Sequence, residues 1–332
     1  MNRRRFLGSA AAGGLALAMT PHRAHAAKHE LLVAEPVHSI GYLPMYVAMA
    51  RGYFAEADIE VKVVTIETGA GHASAVLSGQ AFAFIGGPEH CAFAKAKGGE
   101  MRTVVHCVDR GNVYFCAASP LAPEGRDFHG FVNGKTIATA GLGSTPNSIT
   151  RYLLKQWNLD ARRDVTLIET ANSAVLATVK SRRAQIGCVT EPFITQGISQ
   201  SVWSEPFFNV PKELGPYAYS TINVRLESIR KEPEVVRGFV RGIMKALKYL
   251  DADRDGAAEI ARRQFPTMPS EDLKATLSRS FADGMWSRDG VVSRAAWDNG
   301  KAVVMDAGIL KTDVPYDDII DMSFVEDLRS SI

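Results

Sequence analysis

The chain has 332 residues, 46% of them hydrophobic and 22% charged, which is enough for one large domain or two of medium size. Its 38 Lys and Arg residues nearly balance 36 Asp and Glu residues, giving a net charge of +2. This balance argues against the strongly basic surface that binds nucleic acid or an anionic membrane.

The first 26 residues have the composition of an export signal. A basic cluster at Arg3-Arg4-Arg5 precedes the uncharged apolar stretch 8–19, and Ala24-His25-Ala26 offers a small-x-small cleavage site. The apolar stretch is shorter than the roughly 20 residues of a membrane-spanning helix. We expect cleavage near Ala26 and a periplasmic mature chain, exported by the twin-arginine route, although the general route stays open. Because the segment carries four arginines and no acidic residue, its removal changes the net charge from +2 to −2.

The first half of the mature chain alternates predicted strands with predicted helices. The strands are expected at 31–34, 59–64, 82–85 and 102–108, and the helices at 44–51, 72–78 and 89–97. The second half begins the same alternation again, with strands at 135–139, 164–168 and 185–189 and helices at 146–157 and 174–181. Strands separated by helical crossovers predict parallel-rich sheets that are covered on both faces.

The pattern changes after residue 216. A strand at 218–224 precedes four segments with helical spacing of apolar residues, at 234–250, 255–264, 271–281 and 295–307. We expect these helices to cap the first lobe after the chain crosses back to it. The predicted organisation is therefore an α/β fold in which residues 27–116 and 217–332 form lobe 1 and residues 117–216 form lobe 2.

The four cysteines form no C-x-x-C pair, so we expect neither a zinc site nor a redox motif. Cys107 and Cys116 flank a predicted turn at 109–112, and the periplasm permits disulfides. Either a Cys107–Cys116 bridge or buried free thiols would fit the sequence.

Ligands in open α/β sheets bind outside the carboxyl ends of the strands, so the loops there supply the candidate site. These loops are rich in Gly, Ser, Thr and Asn. The candidate ligand-binding residues are His38, Ser39, Tyr42, Gly71, His72, Gly87, Glu89, Asn112, Gly143, Ser144, Thr145, Asn172 and Glu191.

The segment 141–147 gives the sharpest local signal. Thr145 suits a helix N-cap and Pro146 the first helical turn, directly after two glycines. The free N–H groups and the helix dipole at such a start favour an anionic group. A plain capped turn explains the same residues. The segment is not a phosphate loop, because no Gly-Lys-Ser/Thr follows.

The side chains of the other loops admit two interpretations each. His38 and Tyr42 are the expected side-chain contacts of lobe 1, unless Tyr42 packs under its loop. His72 lies in a first helical turn, where it contacts the ligand or caps the helix. Glu89 and Glu191 pair with a cationic group of the ligand or make hydrogen bonds at the hinge. Since Arg110 is the one Arg or Lys in these loops, we expect an organic ligand with at most one anionic group.

An ordered set of short motifs resembles the nitrate/sulfonate/taurine and thiamine-precursor type of ABC-importer solute-binding proteins. The set is Ala48-x-x-x-Gly52-Tyr53-Phe54, Ile59-x-Val61, Gly79-Gln80, Gly134-Lys135-x-Ile137-Ala138 and Glu191-Pro192. The likeness covers about residues 31–250. Phe82 and Gln185 stand where the family often has Asp, and Asp58 where it often has Gly, which weakens any transfer of ligand identity.

The resemblance implies a type II-like periplasmic binding fold with the ligand between two lobes. It further implies a monomeric, non-enzymatic protein without cofactor or metal that delivers a small organic solute to an ABC permease at the inner membrane. The solute would be a sulfonate, a carboxylate or a heteroaromatic such as a pyrimidine. A pyrimidine synthase-like enzyme of the same fold and a sensor that docks on a membrane receptor stay open as alternatives. The sequence lacks the cysteine-rich iron motif of those synthases and the Gly-x-Ser-x-Gly and His-Glu-x-x-His motifs.

Overall fold

A computed structural model describes residues 29–67 and 69–332, so the predicted export signal lies outside the described residues. Within them, ten strands form two five-stranded sheets. The strands are β1 (His29–Glu35), β2 (Ile59–Thr65), β3 (Ala83–Gly86), β4 (Met101–Arg110), β5 (Tyr114–Ala117), β6 (Thr136–Ala140), β7 (Thr166–Thr170), β8 (Ile186–Val189), β9 (Phe208–Asn209) and β10 (Pro216–Arg225).

Helices connect these strands and make up most of the chain after β10. The helices of the first 215 residues are α1 (Leu43–Ala50), α2 (Gly71–Leu77), α3 (Glu89–Lys95), α4 (Phe128–Val132), α5 (Thr145–Gln156), α6 (Val175–Lys180), α7 (Phe193–Ser199) and α8 (Val210–Glu213). Those after β10 are α9 (Leu226–Lys231), α10 (Pro233–Ala252), α11 (Arg254–Gln264), α12 (Ser270–Ala282), α13 (Arg294–Asp306) and α14 (Ser323–Leu328). Among the described residues, no helix combines the length and the apolar character needed to cross a membrane.

The two sheets share one topology. The first has the order β2-β1-β3-β10-β4 and the second β7-β6-β8-β5-β9. In each, the strand in second place is parallel to both neighbours, and the strand in fourth place is antiparallel to the neighbours on its two sides. Four of five strands therefore run in one direction. This confirms the expectation of two similar α/β lobes with parallel-rich sheets.

The chain passes from one lobe to the other between β4 and β5, and the turn predicted at 109–112 is wrong, because β4 extends to Arg110. β4 lies in the first sheet and β5 in the second, because each finds its partners far along the chain. Lobe 2 therefore begins at β5, a few residues before the predicted boundary at 117. Cys107 and Cys116 lie in different sheets, and both are buried free thiols, as are Cys91 and Cys188.

Glycine and proline determine where α1 begins and ends. Pro44 occupies the first turn, where its missing N–H leaves no hydrogen bond unmade. Gly52 follows with φ of +72°, the left-handed conformation that glycine adopts without steric cost, and the Tyr53 N–H donates back to the Ala48 carbonyl. The end of this helix matches the expectation from the sequence.

The late helices cap lobe 1, as predicted, but two of them also contact lobe 2. α10 packs along α1, with Phe239 stacked on Phe54 at 4.6 Å between ring centroids. α12 packs against α7 and α13 against α5, both in lobe 2. The assignment of residues 217–332 to lobe 1 stays a prediction, because helices at the boundary of a closed cleft contact both lobes.

The surroundings of Gly197 in α7 and of Gly300 in α13 predict opposite effects on stability when each glycine is replaced by alanine. A Cβ on Gly197 would lie 2.1 Å from the buried Trp203 ring, whereas a Cβ on Gly300 in α13 would meet Tyr217 at 3.6 Å, an ordinary contact. Gly197→Ala should lower the free energy of unfolding by about 1–3 kcal/mol through overpacking. Gly300→Ala should raise it by about 0.5–1 kcal/mol, because alanine favours helix. Urea denaturation measures both, and equal effects of the two variants would contradict this packing.

Candidate functional site

A cavity lies between the lobes at the carboxyl ends of β1, β3, β6, β7 and β8, the position that the strand-end rule predicts. Its volume, as the space open to the centre of a water-sized sphere, is about 50 Å³, so the cavity is small. Both lobes contribute polar side chains to its wall. These are Ser39, Tyr42, Glu67, His72, His90, Asn112, Ser144, Thr145, Thr170, Asn172, Thr190, Tyr219 and Ser220.

The structure brings together eight of the residues singled out from the sequence. Those that line the cavity are Ser39, Tyr42, His72, Gly87, Asn112, Ser144, Thr145 and Asn172. Those that do not are His38, Gly71, Glu89, Gly143 and Glu191. Contact of any of these residues with a ligand stays a prediction.

His38 connects structural elements instead of facing the cavity. Its Nδ1 lies 3.1 Å from a carboxylate oxygen of the buried Glu35, and its Nε2 lies 3.2 Å from the Gln264 carbonyl at the end of α11. The hydrogen bond with Glu35 raises the pKa of His38 above its ordinary value, against the opposing effect of burial. The placement does not support the expected side-chain contact between His38 and a ligand.

The start of α5 differs by one residue from the prediction. The N-cap is Ser144, not Thr145, and its hydroxyl accepts from the Asn147 N–H at 3.4 Å. Thr145 therefore lies in the first turn, where its hydroxyl is free to donate elsewhere. It donates to the Glu89 carboxylate of lobe 1 at 2.5 Å. The sequence signal placed the helix start correctly but could not show that a carboxylate 56 residues away would reach it.

Glu89 is buried behind the cavity wall, with 2% of its surface exposed. A Cβ on Gly87 would lie 2.0 Å from its Oε2 atom, so only glycine leaves room for the carboxylate in this position. The adjacent His90 places Nδ1 3.1 Å from the Gly87 carbonyl and Nε2 3.1 Å from the Gly143 carbonyl of lobe 2. The first turn of α3, directly after β3, thus contacts the opposite lobe through two neighbouring side chains.

Further hydrogen bonds cross the cleft at its other edges. The Ser39 hydroxyl donates to the Glu191 carbonyl at 2.8 Å. The Ser173 hydroxyl donates to the Glu67 carboxylate at 2.6 Å. Together with the contacts of Glu89 and His90, these bonds show that the described conformation is closed.

His72 presents unpaired hydrogen-bonding atoms to the cavity. Its ring is 1% exposed, and neither nitrogen has a hydrogen-bond partner among the described residues. Burial, with a smaller effect from the charge of His90, lowers the pKa of His72 well below its ordinary value, so the ring is neutral at pH 7. Asn172 also has an unpaired buried atom. Its Nδ2 donates to the Thr190 hydroxyl at 2.9 Å, but its Oδ1 lacks a partner within the described chain. A bound molecule could satisfy these atoms.

Sequence reasoning missed several lining residues. His90 lies in the first turn of α3, directly after the candidate residue Glu89, and could have been chosen from that position. Tyr219 and Ser220 lie in β10, whose sequence has only the apolar character of a buried strand. Nothing in that segment signals a site, because its approach to the cavity depends on the return of the chain to the first sheet.

Glu191 lies under the hinge instead of in the cavity. Its carboxylate accepts from the Thr195 hydroxyl at 2.7 Å and from Thr276 at 3.4 Å, and lies 3.1 Å from Nε of Arg279. Burial raises the pKa of Glu191 to about 7, although the Thr195 hydrogen bond and the charge of Arg279 oppose the shift. Its backbone N–H donates to the Asn112 side chain at 3.3 Å, which agrees with the hinge alternative in the sequence analysis.

Comparison with known proteins identifies the fold and the family. Residues 37–264 match the NMT1-like family. The chain is 23% identical over 340 residues to YtlA of Bacillus subtilis (strain 168), whose name provisionally calls it a binding protein, and the match covers 99% of each chain. Within the described residues, no group of three or more His, Cys, Asp or Glu side chains is arranged to hold a metal ion.

Two solved structures share the arrangement of the lobes. The alkanesulfonate-binding protein SsuA from Xanthomonas axonopodis pv. citri, bound to MOPS, superposes with a TM-score of 0.72 at 15% identity, covering 90% of this chain and 99% of SsuA. The periplasmic nitrate-binding protein NrtA from Synechocystis PCC 6803 superposes with a TM-score of 0.72 at 14% identity, covering 92% of this chain and 89% of NrtA. These matches confirm the expected fold, that of the periplasmic binding proteins.

The raised pKa of Glu191 predicts how stability depends on pH. Because the folded protein keeps this proton at pH values where an unfolded chain has lost it, the stabilisation is present near pH 4.5 and is lost as the pH rises to about 7. Glu191→Gln cannot titrate. The free energy of unfolding of the wild type, relative to the variant, should fall by up to about 3 kcal/mol between pH 5 and 8.

Chemical denaturation at several pH values tests this expectation. Glu234→Gln, which changes a carboxylate that is 82% exposed on α10, is the matched control and should run parallel to the wild type. Parallel pH profiles for Glu191→Gln and the wild type would show that Glu191 does not titrate in this range.

Proposed function

Because the chain belongs to the NMT1-like family, we propose that it is the periplasmic substrate-binding component of an ABC importer. It captures a small organic solute between its lobes and delivers it to a permease at the inner membrane. The observation that carries the proposal is the cavity between the lobes, in which His72 and Asn172 hold buried polar atoms without partners in the described chain. Native proteins seldom bury such atoms unpaired, so a ligand that pairs with them explains their presence.

The position of the cavity supports capture by closure. Residues of both lobes form its wall, and hydrogen bonds between the lobes hold the two sides of the wall together. A solute bound there is enclosed only when the lobes meet. The closed form is then the one that a permease can distinguish from the empty protein.

The chemistry of the cavity supports binding more than catalysis. Thiols are the side chains that most readily act as nucleophiles, and all four thiols here are buried away from the lining. Burial raises the pKa of each, which disfavours the reactive thiolate. The export signal predicted for the first 26 residues supports delivery to the periplasm, where such a protein would meet its permease.

The unpaired nitrogens of His72 predict a direct contribution to affinity. Native mass spectrometry of protein purified gently from periplasm should show a non-covalent adduct of discrete mass that is lost on denaturation. His72→Phe keeps a ring of similar size but removes both hydrogen-bonding atoms, so it should weaken binding of the recovered ligand by about 10- to 100-fold.

His129→Phe is the matched control for this variant. His129 lies at α4 in lobe 2, outside the cavity lining, with its Nδ1 bonded to the Trp157 carbonyl. It should lose some stability and no affinity. If the purified protein carries no adduct and a thermal-shift panel of sulfonates, carboxylates and pyrimidines leaves its melting temperature unchanged, the proposed function is wrong.

A further inference from the structure

A second surface depression, the basic groove, lies at the amino ends of the strands of the first sheet. Tyr53 and Glu56, just before β2, line one side of it, and α10 lines the other, together with Ser331 and Ile332. The cavity between the lobes lies at the opposite end of β2, where Glu67 follows the strand. The seven residues of β2 separate the two sites by about 20 Å. Closure of the lobes therefore leaves the basic groove uncovered.

Three cations of α10 line the basic groove from one face of the helix. Arg241, Lys245 and Lys248 follow one another at spacings of four and three residues, which makes them neighbours on a helix surface. Lys245 is neutralised, because its Nζ lies 2.6 Å from both carboxylate oxygens of Glu56. The ion pairs that α10 makes among the described residues use Arg237 and Lys245. The exposed Arg241 and Lys248 therefore keep their positive charges free.

Two tyrosine rings hold cations in place at the basic groove. The Nζ of Lys245 lies 4.8 Å from the centroid of the Tyr53 ring, and the guanidinium carbon of Arg51 lies 4.8 Å from that of Tyr249. Such cation–π contacts restrict long side chains, so less conformational entropy is lost when a partner binds. The lining side chains carry three positive charges and one negative charge, that of Glu56. The chain without its predicted export signal has a net charge of −2, so this positive surface is a local feature.

The spacing of the two free cations specifies the form of an anionic partner. A helix rises about 1.5 Å per residue, so Arg241 and Lys248 lie about 10 Å apart along α10. An extended peptide advances about 3.3 Å per residue, so two of its carboxylates that are three residues apart match this distance. A single compact anion spans less than that. The basic groove offers about 600 Å³ to the centre of a water-sized sphere, which is enough space for an extended segment.

We propose that the basic groove binds an extended acidic segment of another protein, in which carboxylates recur three residues apart. Arg241 and Lys248 pair with two of these carboxylates, and the ring of Tyr53 packs against the segment between them. The inference does not rest on the proposed function, because it concerns a different surface. A partner in the basic groove leaves the cleft uncovered, so the protein stays attached to it in both its open and its closed form.

Peptide binding measured by fluorescence anisotropy tests the inference. The probe is a fluorescein-labelled Gly/Ser peptide with Glu at every third position, and the comparison peptide has the same composition with its Glu residues contiguous. The wild type should bind the spaced peptide about threefold or more tightly than the contiguous one, and this affinity should fall as the salt concentration rises. The double variant Arg241→Glu/Lys248→Glu should bind the spaced peptide about tenfold or more weakly than the wild type does.

Two further variants separate the basic groove from the overall charge of the protein. Lys97→Glu/Lys274→Glu changes the net charge equally at exposed cations outside the groove and should bind the spaced peptide as the wild type does. Glu56→Gln removes the one carboxylate side chain of the lining and frees Lys245. It should therefore bind the spaced peptide about two- to fivefold more tightly. Circular dichroism and the melting temperature establish that each variant is folded.

Each outcome supports or overturns the inference. A wild type that binds neither peptide at low salt overturns it, and so does equal binding of the two peptides. An equal loss in the control double variant also overturns it, because overall charge then attracts the peptide. If Arg241→Glu/Lys248→Glu does not fold, the two peptides and Glu56→Gln decide. His72→Phe changes the cleft alone and should leave peptide binding unchanged, so failure of the proposed function is distinguishable from failure of this inference.

Discussion

The hydrogen bond between Glu89 and Thr145 is the constraint around which the closed cavity is organised. A carboxylate that is 2% exposed must be hydrogen-bonded, because an unpaired buried charge costs several kcal/mol. The hydroxyl that satisfies it belongs to the opposite lobe. Separation of the lobes would expose Glu89 to water, which can replace Thr145 as a donor. The Glu89 carboxylate is therefore hydrogen-bonded in both states, by Thr145 in the closed form and by water in the open form. The ligand is enclosed only in the closed form.

The glycines of the strand-end loops serve this closure. In the sequence they indicate loops where the backbone can approach a ligand, and Gly87 in fact makes room for the Glu89 carboxylate. Gly69 has a φ of +49°, and a Cβ there would lie 2.7 Å from the Leu142 carbonyl of lobe 2. Any larger residue at Gly69 would keep the lobes apart. The same composition that suggests an anion-binding loop thus supports a close contact between two backbones.

Local patterns predicted most of the strands and helices, since each depends on the spacing of apolar residues within a short segment. They failed where partners are distant in sequence. The turn signal at 109–112 could not show that β4 and β5 belong to different sheets, because strand pairing is decided by residues more than 60 positions away. The sequence could not decide whether Glu89 and Glu191 contact a ligand or make hydrogen bonds at the hinge, because their partners Thr145 and Thr276 are distant in sequence. Tyr219 of β10 could not be found, since its position in the wall depends on the topology of the whole first sheet.

The late helices limit how the lobes can move. Arg279 of α12 pairs with Glu205, and Asp306 of α13 pairs with Lys155, so both helices hold lobe 2 at exposed ion pairs. Exposed pairs contribute little, about 0–1 kcal/mol each, and can break and form again as the cleft opens. Glu191 differs because its carboxylate is buried between Thr195 of α7 and Thr276 of α12. Separating α12 from α7 would leave the buried Glu191 carboxylate without its Thr276 hydrogen bond. We therefore expect α12 to move with lobe 2 during opening. The backbone would then bend in the segments that join α12 to the rest of lobe 1.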